Sequence, residues 1–158
     1  MRATLIFVIV LMTSFFTVVD AHSSLQVTLP DTSGEFGEIL SIPVLVSEIA
    51  TEDSVYSFEM ILTFDGSVVT ADSAYTTDAI AQDCNFYFNN DSIPEGIFLA
   101  GAGANPLSGS GVLVYVVFIV NGSPGATTTI HFDSLRFNDP GVFAPPFYRT
   151  QPSMAYLR

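Results

Sequence analysis

The sequence predicts an all-β protein with a single domain, a β-sandwich of jelly-roll type built from about nine strands. Apolar side chains recur at every second position in several short segments, which is the period of a half-buried strand. Turns rich in Gly, Pro, Asn and Asp separate these segments at the spacing typical of a sandwich. No helical period is found after residue 21.

The first 21 residues are predicted to be a secretory signal peptide that is cleaved after Ala21. Arg2 is the only charge before an almost wholly apolar run at residues 5–19, and small residues follow at the cleavage position. An uncleaved anchor is the competing interpretation, but a bilayer span needs about 20 apolar residues. We therefore expect a secreted or extracellular protein with no membrane span in its mature chain. Attachment to the cell surface stays open.

The chain is strongly acidic, with 16 Asp and Glu residues against 4 Lys and Arg and a net charge of −12. Such a surface repels nucleic acid and anionic membranes, so neither is expected as a partner. It favours solubility or a basic partner.

Few residues suggest catalysis or metal binding. Cys84 is alone and cannot form an intramolecular disulfide; it is interpreted as a small buried residue, with intermolecular pairing left open. His22 and His131 fall in no metal-ligand spacing, and His131 is expected on a sheet surface. Carboxylates give many pairs and no preferred one. We predict no catalytic residue, no metal site and no cofactor.

The predicted strands lie at residues 25–29, 40–46, 55–64, 68–74, 85–89, 96–102, 112–120, 127–132 and 135–137. Pro43 cannot donate to a ladder, so it marks an edge or a bulge. Residues 76–83 form either one helical turn or a loop, and residues 105–109 are expected in a loop.

The third predicted strand has the clearest alternation. One face, expected to point inward, carries Tyr56, Phe58, Met60, Leu62 and Phe64. Ser57, Glu59 and Ile61 lie on the other face. In strand 85–89, Tyr87 points away from Phe86 and Phe88.

Strand 112–120 is apolar on both faces. If Phe118 points inward with the even-numbered valines, then Leu113, Tyr115, Val117 and Ile119 point outward. A solvated face should be polar, so this face is interpreted as a protein interface. A loop or the C-terminal tail that covers the face is the alternative.

Three segments together resemble the cohesin domain: the strand opener Ile42-Pro43-Val44, residues 55–65, and the small-residue stretch 101–111 that leads into 112–120. The resemblance spans residues 25–138. It implies a secreted, non-catalytic sandwich that binds a dockerin-bearing protein, with calcium carried by the partner. The cohesin-like domain is assigned to residues 22–140. Residues 141–158, broken by prolines, form an irregular or truncated tail in which the family's final strand is weak or missing.

The resemblance also implies a docking face. In the family's arrangement, as we interpret it, strand 112–120 lies next to strand 55–64 in the sheet that meets dockerin. Ser57 and Glu59 match the contact positions of the third strand, and Tyr87 falls near a contact on the fifth. The predicted partner-binding residues are Ser57, Glu59, Ile61, Tyr87, Tyr115 and Val117.

The leading functional hypothesis is therefore a docking module, in the context of extracellular polysaccharide breakdown. A carbohydrate-binding module is the first alternative, although the chain has no Trp and no evident planar row of aromatic rings. A structural or adhesive spacer of a surface protein is the second.

Overall fold

The computed structural model describes residues 25–91 and 93–138, together with the backbone of residues 155–157. The predicted signal peptide, residues 1–21, lies outside the described residues. Within them the chain forms two antiparallel sheets that enclose one hydrophobic core.

Eight strands lie in residues 25–138 and a ninth short one near the C-terminus. They are β1 (Val27–Thr28), β2 (Ile39–Ile49), β3 (Val55–Thr63), β4 (Val69–Tyr75), β5 (Asn85–Asn89), β6 (Gly96–Leu107), β7 (Gly109–Val120), β8 (Thr128–Phe137) and β9 (Ala155–Leu157). One 3-10 turn, Thr51–Asp53, is the only helical element in the described part of the chain. The all-β jelly-roll sandwich is confirmed.

The four-stranded sheet has the order β1-β2-β7-β4, and the five-stranded sheet has the order β5-β6-β3-β8-β9. Each sheet contributes every second side chain to the core. The fully buried residues include Val44, Val114, Val116 and Phe118 from the first sheet and Met60, Leu62, Ile97, Leu99 and Ile130 from the second. The rings of Phe64 and Phe118 meet edge to face across the core, with centroids 5.2 Å apart.

In β3 the predicted inner face holds for Phe58, Met60 and Leu62, which are buried. The prediction is wrong for Tyr56, which is 44% exposed, whereas Val55 is fully buried. The register with β6 shifts between Val55 and Ser57. Between the pairs Val55–Leu107 and Ser57–Ala102, β3 has one intervening residue and β6 has four. This irregularity interrupts the regular pairing of β3 at Tyr56, whose side chain faces outward.

The expected place of residues 112–120 is also wrong. β7 pairs with β2 and β4 in the four-stranded sheet, not with β3. Phe118 and its even-numbered neighbours from Val114 to Val120 point inward as predicted, but Leu113 is buried too and Val112 is not. The register with β2 shifts at Val44 and Leu45, which reverses the alternation at this end of the strand.

Two connections depart from the simple strand-and-loop pattern. The loop expected at residues 105–109 is wrong, because β6 continues to Leu107, which pairs with Val55, and β7 begins at Gly109. Residues 76–84 form consecutive turns. Their backbone is tied to the four-stranded sheet where the Ile80 N–H donates to the Val112 carbonyl at 2.8 Å.

Pro43 lies in β2 at a position where the strand behaves as an edge. β1 pairs only with Leu45 and Val46, so no β1 residue lies opposite Pro43, and the register with β7 shifts close after it, between Val44 and Leu45. The prediction of an edge or bulge at this proline is confirmed.

The C-terminal tail contains a strand that the sequence analysis expected to be weak or missing. β9 pairs antiparallel with β8, with Ala155 opposite Ile130 and Leu157 opposite Thr128. It is only three residues long and forms the edge of the five-stranded sheet. Among the described residues no helix is long and apolar enough to cross a membrane.

Candidate docking surface

The outer face of the five-stranded sheet carries most of the predicted partner-binding residues. Residues that lie opposite each other on neighbouring strands share a face and are within contact distance. The register aligns three such rows on this face: Asn85–Ala102–Ser57, Tyr87–Ala100–Glu59–Arg136, and Asn89–Phe98–Ile61–Ser134. Ser57, Glu59, Ile61 and Tyr87 therefore share one surface, as the sequence analysis expected of them.

A shallow depression of about 350 Å³ lies in the first two rows. It is lined by Ser57, Phe58, Glu59, Asn85, Tyr87, Ala100, Gly101, Ala102, Arg136 and Asn138. Its floor is low because in these two rows β6 contributes only Ala100 and Ala102, while the longer side chains of β5, β3 and β8 stand on both sides. We call this depression the alanine groove.

The groove floor depends on a close approach between Gly101 and the core. Gly101 lies opposite Phe58, and a Cβ atom added to it would stand 2.4 Å from Cε1 of that ring. Real Cβ atoms do not approach a ring this closely, so only glycine lets β6 pass over Phe58. Phe58 in turn packs near Phe86, with ring centroids 6.5 Å apart.

One ion pair crosses the wall of the groove. A guanidinium nitrogen of Arg136 lies 3.4 Å from a carboxylate oxygen of Glu59, and the two side chains are 65% and 45% exposed. A pair this exposed stabilises the fold by only about 0–1 kcal/mol. Because the pair is weak, both charges can be transferred to a partner at little cost in stability. Arg136 is the one lysine or arginine among the described residues.

Tyr87 forms the opposite wall and is 54% exposed. Its hydroxyl accepts a hydrogen bond from the Asn89 side-chain amide at 3.0 Å, and its ring lies 6.2 Å from that of Phe98. These two contacts hold an exposed aromatic ring in place. A ring that is already ordered loses little conformational entropy when a partner packs on it.

Asn138 is a structural residue of this surface that the sequence analysis did not identify. Its side-chain oxygen accepts the Tyr56 N–H at 2.7 Å, and its side-chain nitrogen donates to the Ser54 carbonyl at 2.9 Å. Its backbone N–H donates to the Ser57 carbonyl at 2.9 Å. Asn138 thereby ties the end of β8 to the bulged start of β3. No local sequence signal links it to residues more than 80 positions away.

Tyr115 and Val117 do not belong to this surface. β7 lies in the four-stranded sheet, so the expectation that both residues share a face with Ser57, Glu59 and Ile61 is wrong. The Tyr115 ring stacks on Tyr75, with centroids 4.9 Å apart and planes inclined by 14°. The alternation correctly predicted that these side chains point outward, but they do so on the opposite side of the sandwich.

Two titratable groups outside the groove have perturbed pKa values, and neither forms part of a reactive cluster. Hydrogen bonds from the Ser67 hydroxyl and backbone N–H lower the pKa of Asp65 below its usual 3.8. Burial, and then the nearby Asp83 charge, raise the pKa of the half-buried Cys84 thiol. In residues 25–91 and 93–138, no group of three or more His, Cys, Asp or Glu side chains could hold a metal ion.

The family follows from the sequence itself. The family model of the Cohesin domain matches residues 25–141. The chain belongs to the cohesin domain family. The matched range covers β1 to β8 and the whole alanine groove, so the surface described above lies entirely inside the cohesin domain.

Solved structures share the fold of this cohesin domain at low sequence identity. CaCohA2 from Clostridium acetobutylicum has a TM-score of 0.70 and 20% identity over 85% of this chain and 89% of that one. The sixth cohesin of scaffoldin B from Acetivibrio cellulolyticus, solved in complex with a Cel5 dockerin mutant, has a TM-score of 0.70 and 15% identity over 86% and 100% of the two chains.

An archaeal structure matches as well. A non-cellulosomal cohesin from the hyperthermophile Archaeoglobus fulgidus has a TM-score of 0.68 and 18% identity over 86% of this chain and 92% of that one. No match was found among curated proteins. At these identities the structural likeness establishes the fold.

Proposed function

We propose that this protein is a non-catalytic docking module that binds a dockerin-bearing partner through the outer face of its five-stranded sheet. Membership of the cohesin family supports this function, as do similar structures that were solved with bound dockerins. The observation that carries the choice of face is the alanine groove, where predicted contact residues surround a low floor.

The groove supplies three kinds of contact. Ala100 and Ala102 let a partner approach the sheet backbone closely, since neither side chain extends beyond Cβ. Tyr87 offers a rigid ring at one wall, and aromatic side chains are enriched among the residues that dominate binding energy. Ser57 and Glu59 offer directional hydrogen-bonding groups at the other wall.

The charge of the site constrains the partner. Glu59 and Arg136 pair with each other in the free protein, and a partner that offers one cation and one carboxylate can replace both halves of this pair. The chain as a whole is acidic, with a net charge of −12, so basic groups on the partner should favour that contact. Screening by salt should then slow association.

Ile61 extends the surface beyond the groove. It lies opposite Phe98 and Ser134 and is half-buried. Together Ile61 and Phe98 form an apolar patch next to the polar groove, the combination expected of an interface core with a polar rim. In this proposal the contact set is Ser57, Glu59, Ile61 and Tyr87, with Ala100, Ala102 and Arg136 added.

The wider setting is part of the same proposal. The apolar leader at residues 1–21 supports export, and the partner would be a secreted enzyme of polysaccharide breakdown that carries a calcium-loaded dockerin. The stacked tyrosine pair of the four-stranded sheet does not favour direct sugar binding. Tyr75 and Tyr115 stack on each other at 4.9 Å, so their facing surfaces are closed to a sugar ring.

The test uses dockerin modules cloned from secreted proteins of the same organism, recognised by duplicated D-x-[DN]-x-[DN]-G calcium loops. Each is titrated calorimetrically into the protein, with calcium and with a chelator. The double variant Glu59→Arg with Tyr87→Ala should weaken binding by at least about thirtyfold, since hot-spot residues commonly contribute about 2 kcal/mol or more.

The matched control is Tyr115→Ala, which removes a tyrosine from the opposite sheet and should leave affinity unchanged. Thermal melts check that all variants fold. Binding that survives the double variant would overturn the proposed face. The absence of binding by every calcium-loaded dockerin would overturn the proposed function.

A further inference from the structure

The outer face of the four-stranded sheet is a second surface, and its side chains are mainly large and apolar. β2 and β7 lie side by side, and Ile39 pairs with Ile119, Ser41 with Val117, and Pro43 with Tyr115. The outward apolar residues of the two strands are Ile39, Pro43, Leu45, Val112, Tyr115, Val117 and Ile119. Ile39 is 68% exposed. Adjacent apolar side chains of this size mark interaction surfaces more often than solvated ones.

The centre of this face carries no charge. From Ile39 to Ser47 in β2 and throughout β7 there is no Asp, Glu, Lys or Arg. The carboxylates of the sheet are confined to Asp72, at a register shift in the edge strand β4, and to Glu48, near the end of β2. The chain as a whole has a net charge of −12, so its acidic residues lie mainly elsewhere.

The aromatic residues of the face are held in place before any contact forms. Tyr75 in β4 stacks on Tyr115 in β7 with an interplanar angle of 14°. The Tyr75 hydroxyl lies 2.8 Å from the Ser41 hydroxyl of β2, so one hydrogen bond and one ring stack connect three strands across the face. An ordered surface of this kind loses little side-chain entropy on association.

We propose that this face, centred on Tyr115 and Val117, is a self-association surface through which two copies of the chain meet in solution. The choice of a second copy as the partner rests on the distribution of charge over the molecule. Two copies repel each other over most of their acidic surfaces, but an uncharged face can meet its own copy without placing carboxylates opposite carboxylates. A twofold contact needs only one self-complementary patch.

The size of the face sets the strength of the contact. Three main strands about 4.8 Å apart, each about nine residues long at about 3.3 Å per residue, cover about 400–500 Å² per copy. Stable interfaces bury about 800 Å² per partner, and smaller ones are transient. We therefore expect a weak dimer whose population rises with protein concentration. This surface lies opposite the alanine groove, so the proposal does not depend on the proposed docking function.

The test is sedimentation velocity on the protein purified after expression of the full chain, from about 10 µM to about 500 µM. The dimer fraction should rise over this range. It should also rise when salt increases from about 0.05 M to about 0.5 M, because screening weakens repulsion between the acidic copies. Val117→Glu should raise the dissociation constant at least about tenfold, since it places carboxylates at the centre of the contact.

Ile61→Glu is the matched control, since it puts the same charge in place of a half-buried β-branched residue on the opposite sheet. It should leave the dimer unchanged. Ile39→Glu is the second variant; its position is mainly exposed, so it should weaken the dimer without affecting folding even if Val117→Glu unfolds the chain.

Several results would overturn the proposal. A wild-type monomer at every concentration would do so, as would a dimer that Ile61→Glu disrupts and Val117→Glu does not. A monomer whose melting temperature falls with Ile39→Glu would mean that the chain's own residues cover the face, which also excludes self-association there.

Discussion

Glu59 and Arg136 face solvent at the centre of the five-stranded sheet, whereas Tyr115 and Val117 occupy the corresponding central positions of the four-stranded sheet. Both faces are built from the same alternation, but they differ in side-chain size and charge. The first has small alanines between polar walls, which create a groove. The second has large uncharged side chains, which fill the surface. A groove with fixed charges selects a partner by its shape and by the direction of its hydrogen bonds and ion pairs. An uncharged apolar surface mainly excludes partners that would bury a charge against it.

The two faces should therefore respond to salt in opposite directions. Contact at the alanine groove pairs charges of opposite sign, which salt screens. Contact between two copies at the four-stranded sheet brings together two molecules of net charge −12, and salt screens that repulsion. Salt dependence thus separates the two proposed interactions without any mutation.

The largest expected effect comes from a core substitution that should disrupt both faces, because both depend on the same folded sandwich. Phe118 is fully buried between the sheets and packs edge to face on Phe64. Phe118→Ala should lower the free energy of unfolding by about 3–5 kcal/mol through lost burial and a cavity, as measured by urea denaturation. Both proposed associations should weaken with the loss of folded protein. The control is Phe36→Ala, at a residue that is 76% exposed and should change stability little. A similar loss from both variants would contradict this assignment of the core.

A smaller effect should be confined to one face. Gly101→Ala forces a Cβ into the Phe58 ring beneath the alanine groove, and overpacking of this kind costs about 1–3 kcal/mol. Dockerin binding should weaken, while self-association of the folded fraction should not change. Gly103→Ala is the milder control, because the Cβ atom that it adds would lie 3.2 Å from its nearest neighbour, Cys84 Sγ. Equal effects of the two variants on binding and denaturation would show that the close approach at Phe58 does not shape the groove.

The smallest effect concerns a turn that belongs to neither face. The Ser67 hydrogen bonds lower the pKa of Asp65 in the folded protein. Stability from this carboxylate is therefore present above its usual pKa of about 4 and is lost as the pH falls towards the lower, folded value. Between about pH 5 and about pH 3, Asp65→Asn should lose slightly less stability than the wild type, as measured by denaturation curves at both pH values. A larger acid loss in the variant would reverse the sign of this linkage. Neither face should respond to the substitution.

Alternation correctly predicted which side chains face outward wherever the ladder is regular. Phe86 and Phe88 pack against the core and Tyr87 is exposed, as the sequence indicated. The predictions for Tyr56 and Leu113 failed because both lie at register shifts. A shift of this kind arises where two distant segments pair with unequal numbers of residues, so neither segment alone contains its signal.

The candidate site was predicted only in part, because some of its features depend on pairing between distant strands. The outward positions of Ser57, Glu59, Ile61 and Tyr87 follow from period-two alternation within single strands. The pairing of Glu59 with Arg136 is a cross-strand contact between β3 and β8, which depends on sheet order. No pattern in the sequence indicated a role for Arg136, although it is the one strong cation in the described part of the chain.

By itself, the sequence determined the β-rich character of the chain, its acidic composition and the orientation of most side chains, because each depends on composition or on neighbours along the chain. Tertiary structure alone decided that β7 pairs with β2 and β4 rather than with β3. It thereby put Tyr115 and Glu59 on opposite faces. A strand with apolar side chains on both faces fits the middle of either sheet equally well, and only the simultaneous pairing of all its partners settles which sheet it joins.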